Sequence, residues 1–146
     1  AIYAQAGVRL SPDPMPPTAA MSSTDYFWRH NQTVESQRVR AGRAHDVLTA
    51  GQKKDIVLTN RLRSKPGRVA IYGWHRPDGK PIQPLSTVHH ADYADYSHGL
   101  RLVSPVAFVN GAPRDLAEIL QDPQLAPVVS SEGAIPQPEG LLASLH

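Results

Sequence analysis

The 146-residue chain contains no cysteine. This excludes a disulfide framework, thiolate metal sites, iron–sulfur clusters and a cysteine nucleophile. It also lacks an apolar run of membrane length, so no helical span is expected. Aromatic residues make up only 6% of the chain, and the aromatic-and-basic signature of an RNA-binding sheet is missing. So are a phosphate loop, a dinucleotide fingerprint and zinc-finger spacing. Charge is low as well: the formal net value is +2, far from that of a nucleic-acid binder, so nucleic acid is not an expected partner.

What is present is a folded domain's composition, 40% hydrophobic and 19% charged. The 14 prolines and 10 glycines predict many turns and modest helix content. Residues 1–132 are expected to form one α+β domain, and 133–146, with Gly133, Pro136, Pro138 and Gly140, a surface tail. Ala1 to Ala6 reads as the end of a helix, so the chain is expected to be the latter part of a longer protein. An upstream segment of that protein is then an expected partner, able to complete a site.

The proline-rich stretch Ser11–Pro17 predicts an extended connector, because proline fixes φ and removes donors. A helix is expected from Asp25 to about Arg40. Ser23 or Thr24 would cap it, Asp25 lies in its first turn, Arg38 and Arg40 lie in its last, and Gly42 would close it. Its buried face is read as Phe27, Asn31, Val34 and Arg38.

The middle of the chain predicts an antiparallel meander of about five strands. These are Asp55–Thr59, Arg68–His75, Lys80–Val88 (on an edge or at a bulge because of Pro84), Leu100–Val103 and Val106–Val109. Arg76-Pro77-Asp78-Gly79 and Asn110-Gly111 read as turns. Strand alternation assigns Ile71, Gly73 and His75 to one face and Tyr72 and Trp74 to the other. Two short helices are expected after the sheet, over Pro113–Gln121 and from Asp122-Pro123 to about Val129. The predicted fold is thus an N-terminal helix packed on a mainly antiparallel sheet, followed by two short helices.

The densest polar cluster is His89-His90-Ala91-Asp92-Tyr93-Ala94-Asp95-Tyr96-Ser97-His98-Gly99, in a segment joining two predicted strands. Such loops commonly carry catalytic side chains on a rigid scaffold. His75 closes an earlier strand and is expected to approach the same region, giving one site from His75, His89, Asp95 and His98 with Ser97, Tyr93 and Tyr96 nearby. Three chemistries fit these residue types. His89, Asp95 and His98 supply imidazole and carboxylate ligands for a divalent metal such as zinc with an open water position, although His-Glu-x-x-His is absent. Alternatively, His75 or His89, oriented by an aspartate, acts as general base on Ser97 or a water; Gly-x-Ser-x-Gly is absent. In the third reading the same Asp, Ser and His residues cap turns and hold buried backbone.

Trp74 and Tyr72 with His75 also form a candidate carbohydrate platform, since aromatic faces stack on sugar C–H groups. Trp74, Tyr96 and Arg101 are the candidate substrate-binding residues, with Arg101 either facing solvent or pinning Asp95. Lys53-Lys54 reads as a solvated pair. Between Arg38 and Lys80 there are eleven Lys/Arg against Asp46, Asp55 and Asp78, whereas beyond Leu102 the only basic residue, Arg114, faces five acids. Such asymmetry fits a surface for an anionic polymer.

Four blocks, Lys53-Lys54-Asp55-Ile56-Val57, Val69–His75 (containing Tyr72-Gly73-Trp74-His75), Pro81-Ile82-Gln83-Pro84-Leu85 and Tyr93–Arg101 (containing Tyr96-Ser97-His98-Gly99), give the chain a resemblance to the C-terminal half of an uncharacterised family of bacterial proteins. The resemblance covers residues 1–132 and implies a bacterial protein with further sequence upstream, but no substrate. The residues together lead to the expectation of a hydrolase acting on peptide or glycan material of the cell envelope, hence exported. The alternative is a non-catalytic polymer-binding or assembly module with a basic, aromatic surface, its partner an anionic or glycan polymer.

Overall fold

The computed structural model describes residues 2–42, 46–99 and 101–143. The fold is mixed α and β with several small sheets. The chain forms two compact units. The first comprises Ala1–Ile56, Ile71–Ser86 and Asp92–Leu100, and the second Val57–Ala70, Thr87–Ala91 and Arg101–His146.

The first unit begins with α1 (Ile2–Gln5), then β1 (Val8–Arg9). The proline connector leads to α2 (Thr24–Arg40). Ser23 is its N-cap, accepting the Tyr26 N–H, and Asp25 and Arg38/Arg40 sit at the ends that the helix dipole favours. Ala41 is the C-cap, followed by Gly42 at φ 86°, the left-handed conformation common just past a helix end. The buried face differs from the expected one. It centres on His30, 1% exposed, with Tyr26, Phe27 and Val34 half-buried and Asn31 exposed. The stripe is rotated by one residue because a histidine, not an aliphatic side chain, is its core member.

β2 (Thr49–Ala50) pairs parallel with β1. The main sheet has four strands, β3 (Lys54–Val57), β4 (Ala70–His75), β5 (Pro81–Ser86) and β6 (His98–Gly99), in the order β5-β4-β3-β6. It is not the antiparallel meander expected from the sequence. β4 and β5 are antiparallel, but β3 and β6 are parallel, with Lys54 opposite His98 and Asp55 opposite Gly99. Parallel pairing needs a crossover between the strands, which no local pattern reveals. β5 carries Pro84 on the sheet edge and at the register shift between Ile71 and Gly73. The turn Arg76–Lys80 forms as predicted: the Gly79 N–H donates to Arg76 O at 2.9 Å, and Gly79 has φ 83°.

In the second unit, the expected strand Leu100–Val103 does not form over Arg101–Val103, and Leu100 lies outside the described residues. β7 (Val106–Val109) and β8 (Ala112–Asp115) make an antiparallel hairpin. Its turn residues Asn110 and Gly111 have φ 51° and 83°, the signature of a type I′ turn. The helix expected from Pro113 starts later, as α3 (Leu116–Gln121) capped by Asp115, because residues 112–115 pair with β7. α4 (Ala126–Val129) follows, with Asp122 Oδ1 accepting the Gln124 and Leu125 N–H groups. The predicted surface tail is instead packed over its described part. Ile135 and Leu141 are 2% and 5% exposed, the Ile135 N–H donates to Leu120 O at 2.7 Å, and Pro138–Ala143 is helix α5.

Candidate functional site

The polar cluster of the first unit is built on a tight turn. The His98 N–H donates to Asp95 O at 3.0 Å. Asp95 Oδ1 accepts the Ser97 N–H at 2.9 Å and also the Ser97 hydroxyl. The aspartate thus closes its own backbone two residues on, the Asx-turn geometry. Its Oδ2 accepts the Tyr93 hydroxyl at 3.1 Å and lies 3.6 Å from Lys54 Nζ. Asp95 and Ser97 are each 1% exposed. Burial alone would raise the Asp95 carboxyl, but the Ser97 hydroxyl and amide, with the Lys54 charge, outweigh it and hold the group below the usual carboxylate range. His98 Nδ1 accepts the Asp95 N–H at 2.9 Å. A nitrogen accepting an amide proton carries none itself, so this imidazole is the neutral Nε2–H tautomer.

Beneath this turn lies an aromatic box. Tyr96, 2% exposed, has its ring centroid 5.1 Å from His30, 6.2 Å from Trp74 and 5.6 Å from Tyr26, all edge-on. Its hydroxyl accepts the Met15 N–H at 2.7 Å and donates to Met15 O at 3.1 Å, which ties the proline connector to the core. The Lys53 ammonium donates to Tyr96 O. Both ring nitrogens of His30 and the Trp74 indole nitrogen are buried and make no well-formed hydrogen bond among the described residues, although His30 lies near the Asp13 backbone. Burial, aided by the Lys53 charge and opposed by Asp13, lowers the His30 pKa to about 4. Burial likewise lowers Lys53 to about 8, against the attraction of Asp95.

A second cluster lies on the sheet surface. Gly73 and Trp74 have φ 124° and 59°. A left-handed conformation at Trp is a true outlier, since its Cβ meets the following carbonyl. This break, with the bulge, ends the expected alternation. Trp74 turns inward, 7% exposed, while Tyr72 is exposed and His75, three residues on, is half-buried on the same side. Their rings meet edge-on at 5.4 Å, and His75 stacks on Tyr3 at 4.6 Å with an interplanar angle of 17°. The Tyr3 hydroxyl donates to Arg76 O at 2.8 Å, and the Arg9 guanidinium lies 5.4 Å from the Tyr3 ring centre. Burial lowers the His75 imidazole below its usual range, with Asp55 pulling the other way.

The predicted site residues therefore divide. Asp95, Ser97 and His98 come together, but as a turn. The Ser97 hydroxyl donates to the Asp95 carboxylate, not to a histidine. His75 stacks on Tyr3. His89 and Arg101 belong to the second unit, where His89 O accepts the Val69 N–H at 3.1 Å. Trp74 and Tyr96 are buried core residues, 7% and 2% exposed. Lys53 and Lys54 are not a solvated pair either, since Lys54 is 7% exposed and faces Asp95.

His98 Nδ1 and Asp95 Oδ1 already hold backbone amides, and among the described residues no three His, Asp or Glu side chains are grouped to hold an ion. Sequence reasoning missed Tyr3 and His30. His30 follows Phe27 by three residues and precedes Val34 by four, a helical spacing that could have revealed it; nothing local connects Tyr3 to His75. No helix among the described residues is long and apolar enough to cross a membrane. Compared with protein-family models, with curated proteins and with solved structures, the chain matches none.

Proposed function

We propose that the chain is a non-catalytic module that binds a glycan polymer through the Tyr3–His75–Tyr72 surface. One observation carries the reading: the left-handed Gly73–Trp74 step sends two side chains three residues apart to the same open side. A bulky residue in that conformation costs about 1–3 kcal/mol and persists only where the surrounding structure over-determines it. Here its product is a ring pair at the sheet surface, with Tyr72 36% exposed. A tyrosine face stacks on sugar C–H groups, and a neutral imidazole both donates to and accepts from sugar hydroxyls.

The hydrolase reading has no comparable support. Asp95 and Ser97 are withdrawn from solvent, and their hydrogen-bonding capacity is used on the turn. The test is affinity electrophoresis against soluble polysaccharides. Retardation of the wild-type protein is expected, with binding by Tyr72→Ala roughly tenfold weaker, the scale of one aromatic contact. Cleavage of peptidoglycan or polysaccharide that is lost in Ser97→Ala would overturn the proposal and restore a catalytic role to the turn.

A further inference from the structure

We infer that the polymer bound at this surface is anionic, a polysaccharide carrying carboxylate groups; the inference rests on the binding reading above and deepens it. The β4–β5 turn abuts the ring cluster, because Arg76 follows His75 and its carbonyl accepts the Tyr3 hydroxyl. That turn presents Arg76 and Lys80, both exposed. Their backbones pair with each other, the Arg76 N–H donating to Lys80 O at 2.9 Å. Neither side chain has a partner among the described residues, so both charges are free for a ligand.

The acids close by are Asp78 and Asp55. Asp78 Oδ1 accepts the Lys80 N–H at 2.9 Å, so that carboxylate is directed at its own turn. Asp55 faces His75. Arg9 is exposed but held against α1, with Nε donating to Tyr3 O at 3.1 Å and its terminal nitrogen to Ala4 O at 2.9 Å. The turn thus carries two cations, Arg76 and Lys80, against the single exposed carboxylate of Asp78, beside the tyrosine ring. A uronate residue has this combination: an apolar C–H face and a carboxylate at its edge. Arginine can meet that carboxylate with two parallel hydrogen bonds, and lysine with a point charge.

The experiment uses three uronate polymers (polygalacturonate, alginate and hyaluronate), each beside its methyl-esterified form, which keeps the sugar and erases the charge. Binding is read by affinity electrophoresis and by titration calorimetry at low and high salt. The acid forms are expected to bind about tenfold more tightly than the esters, with that preference shrinking as salt screens exposed charges. In Arg76→Gln/Lys80→Gln the preference should vanish while weak binding of the ester persists. Circular dichroism verifies that this variant folds; both side chains are exposed, so its spectrum should match wild type. Equal binding of acid and ester forms that is lost in Tyr72→Ala would overturn the anionic inference and leave glycan binding standing. Failure to bind any of the six, or binding that Tyr72→Ala leaves unchanged, would overturn both.

Discussion

His30 makes folding stability depend on pH in a window that no surface histidine would give. Its imidazole is 1% exposed, packed edge-on against Tyr96 and Trp74, and its pKa falls from 6.5 to about 4 on folding. The groups facing it are Lys53, whose charge disfavours a proton on the ring, and Asp13, which favours one. Above pH 6.5 the ring is neutral in both folded and unfolded chains, so its contribution does not vary. Below 6.5 the unfolded chain takes up the proton first, and stability falls as pH falls. The slope is about 1.4 kcal/mol per unit, and the loss reaches about 3 kcal/mol near pH 4, where the folded ring also titrates. Urea unfolding followed by far-UV circular dichroism at several pH values from 7.5 to 4 measures this. The informative quantity is the difference between wild type and His30→Phe, which keeps a ring in the box and removes both titratable nitrogens; subtraction cancels other groups, His75 included. The variant should lose one proton's worth of slope between pH 6.5 and 4. Parallel curves for the two proteins would refute the reasoning, because His30 would then titrate alike folded and unfolded.

Three further outcomes follow from the same core. Asp95→Asn leaves Lys54 buried without its carboxylate and should cost about 3–5 kcal/mol in urea unfolding, whereas Ser97→Ala should cost only about 1–3 kcal/mol for the lost hydroxyl. Because the folded Asp95 carboxyl lies below its ordinary value of 3.8, its stabilising effect is fully present above that value and is lost as pH falls through the lower folded value. This separates it from the His30 window, and the wild type minus Asp95→Asn difference should be flat from pH 7 to about 5. At Gly99 an added Cβ would lie 2.8 Å from Lys53 Cβ and 3.1 Å from Asp55 Oδ1, so Gly99→Ala should destabilise by about 1–3 kcal/mol through overpacking; a neutral result in the same assay would mean that β6 can move away from β3.

Where local chemistry alone sets the backbone, the structure was legible in the sequence. Helix α2 follows from its Ser23 cap, its Asp25 and its terminal arginines, and both hairpin turns follow from residues that tolerate positive φ. The main sheet was not legible in this way, because the parallel pairing of β3 with β6 joins residues more than forty positions apart. The Tyr72/His75 face departs from the strand pattern for a different reason. Period-two alternation assumes regular strand geometry, and Trp74 violates it in a conformation that its own side chain disfavours. The polar cluster shows the third limit. Asp95-Tyr96-Ser97-His98 carries residue types that serve a catalytic site and a reinforced turn equally well. The Ser97 hydroxyl donating to Asp95 is the contact that favours the reinforced turn.

The most direct test sets Tyr72→Ala beside Ser97→Ala in one binding assay against an acidic polysaccharide. The account predicts that Tyr72→Ala binds roughly tenfold more weakly while folded Ser97→Ala binds like wild type. Undiminished binding by Tyr72→Ala, together with loss in a folded Ser97→Ala protein, would contradict it and move the functional surface to the Asp95 turn.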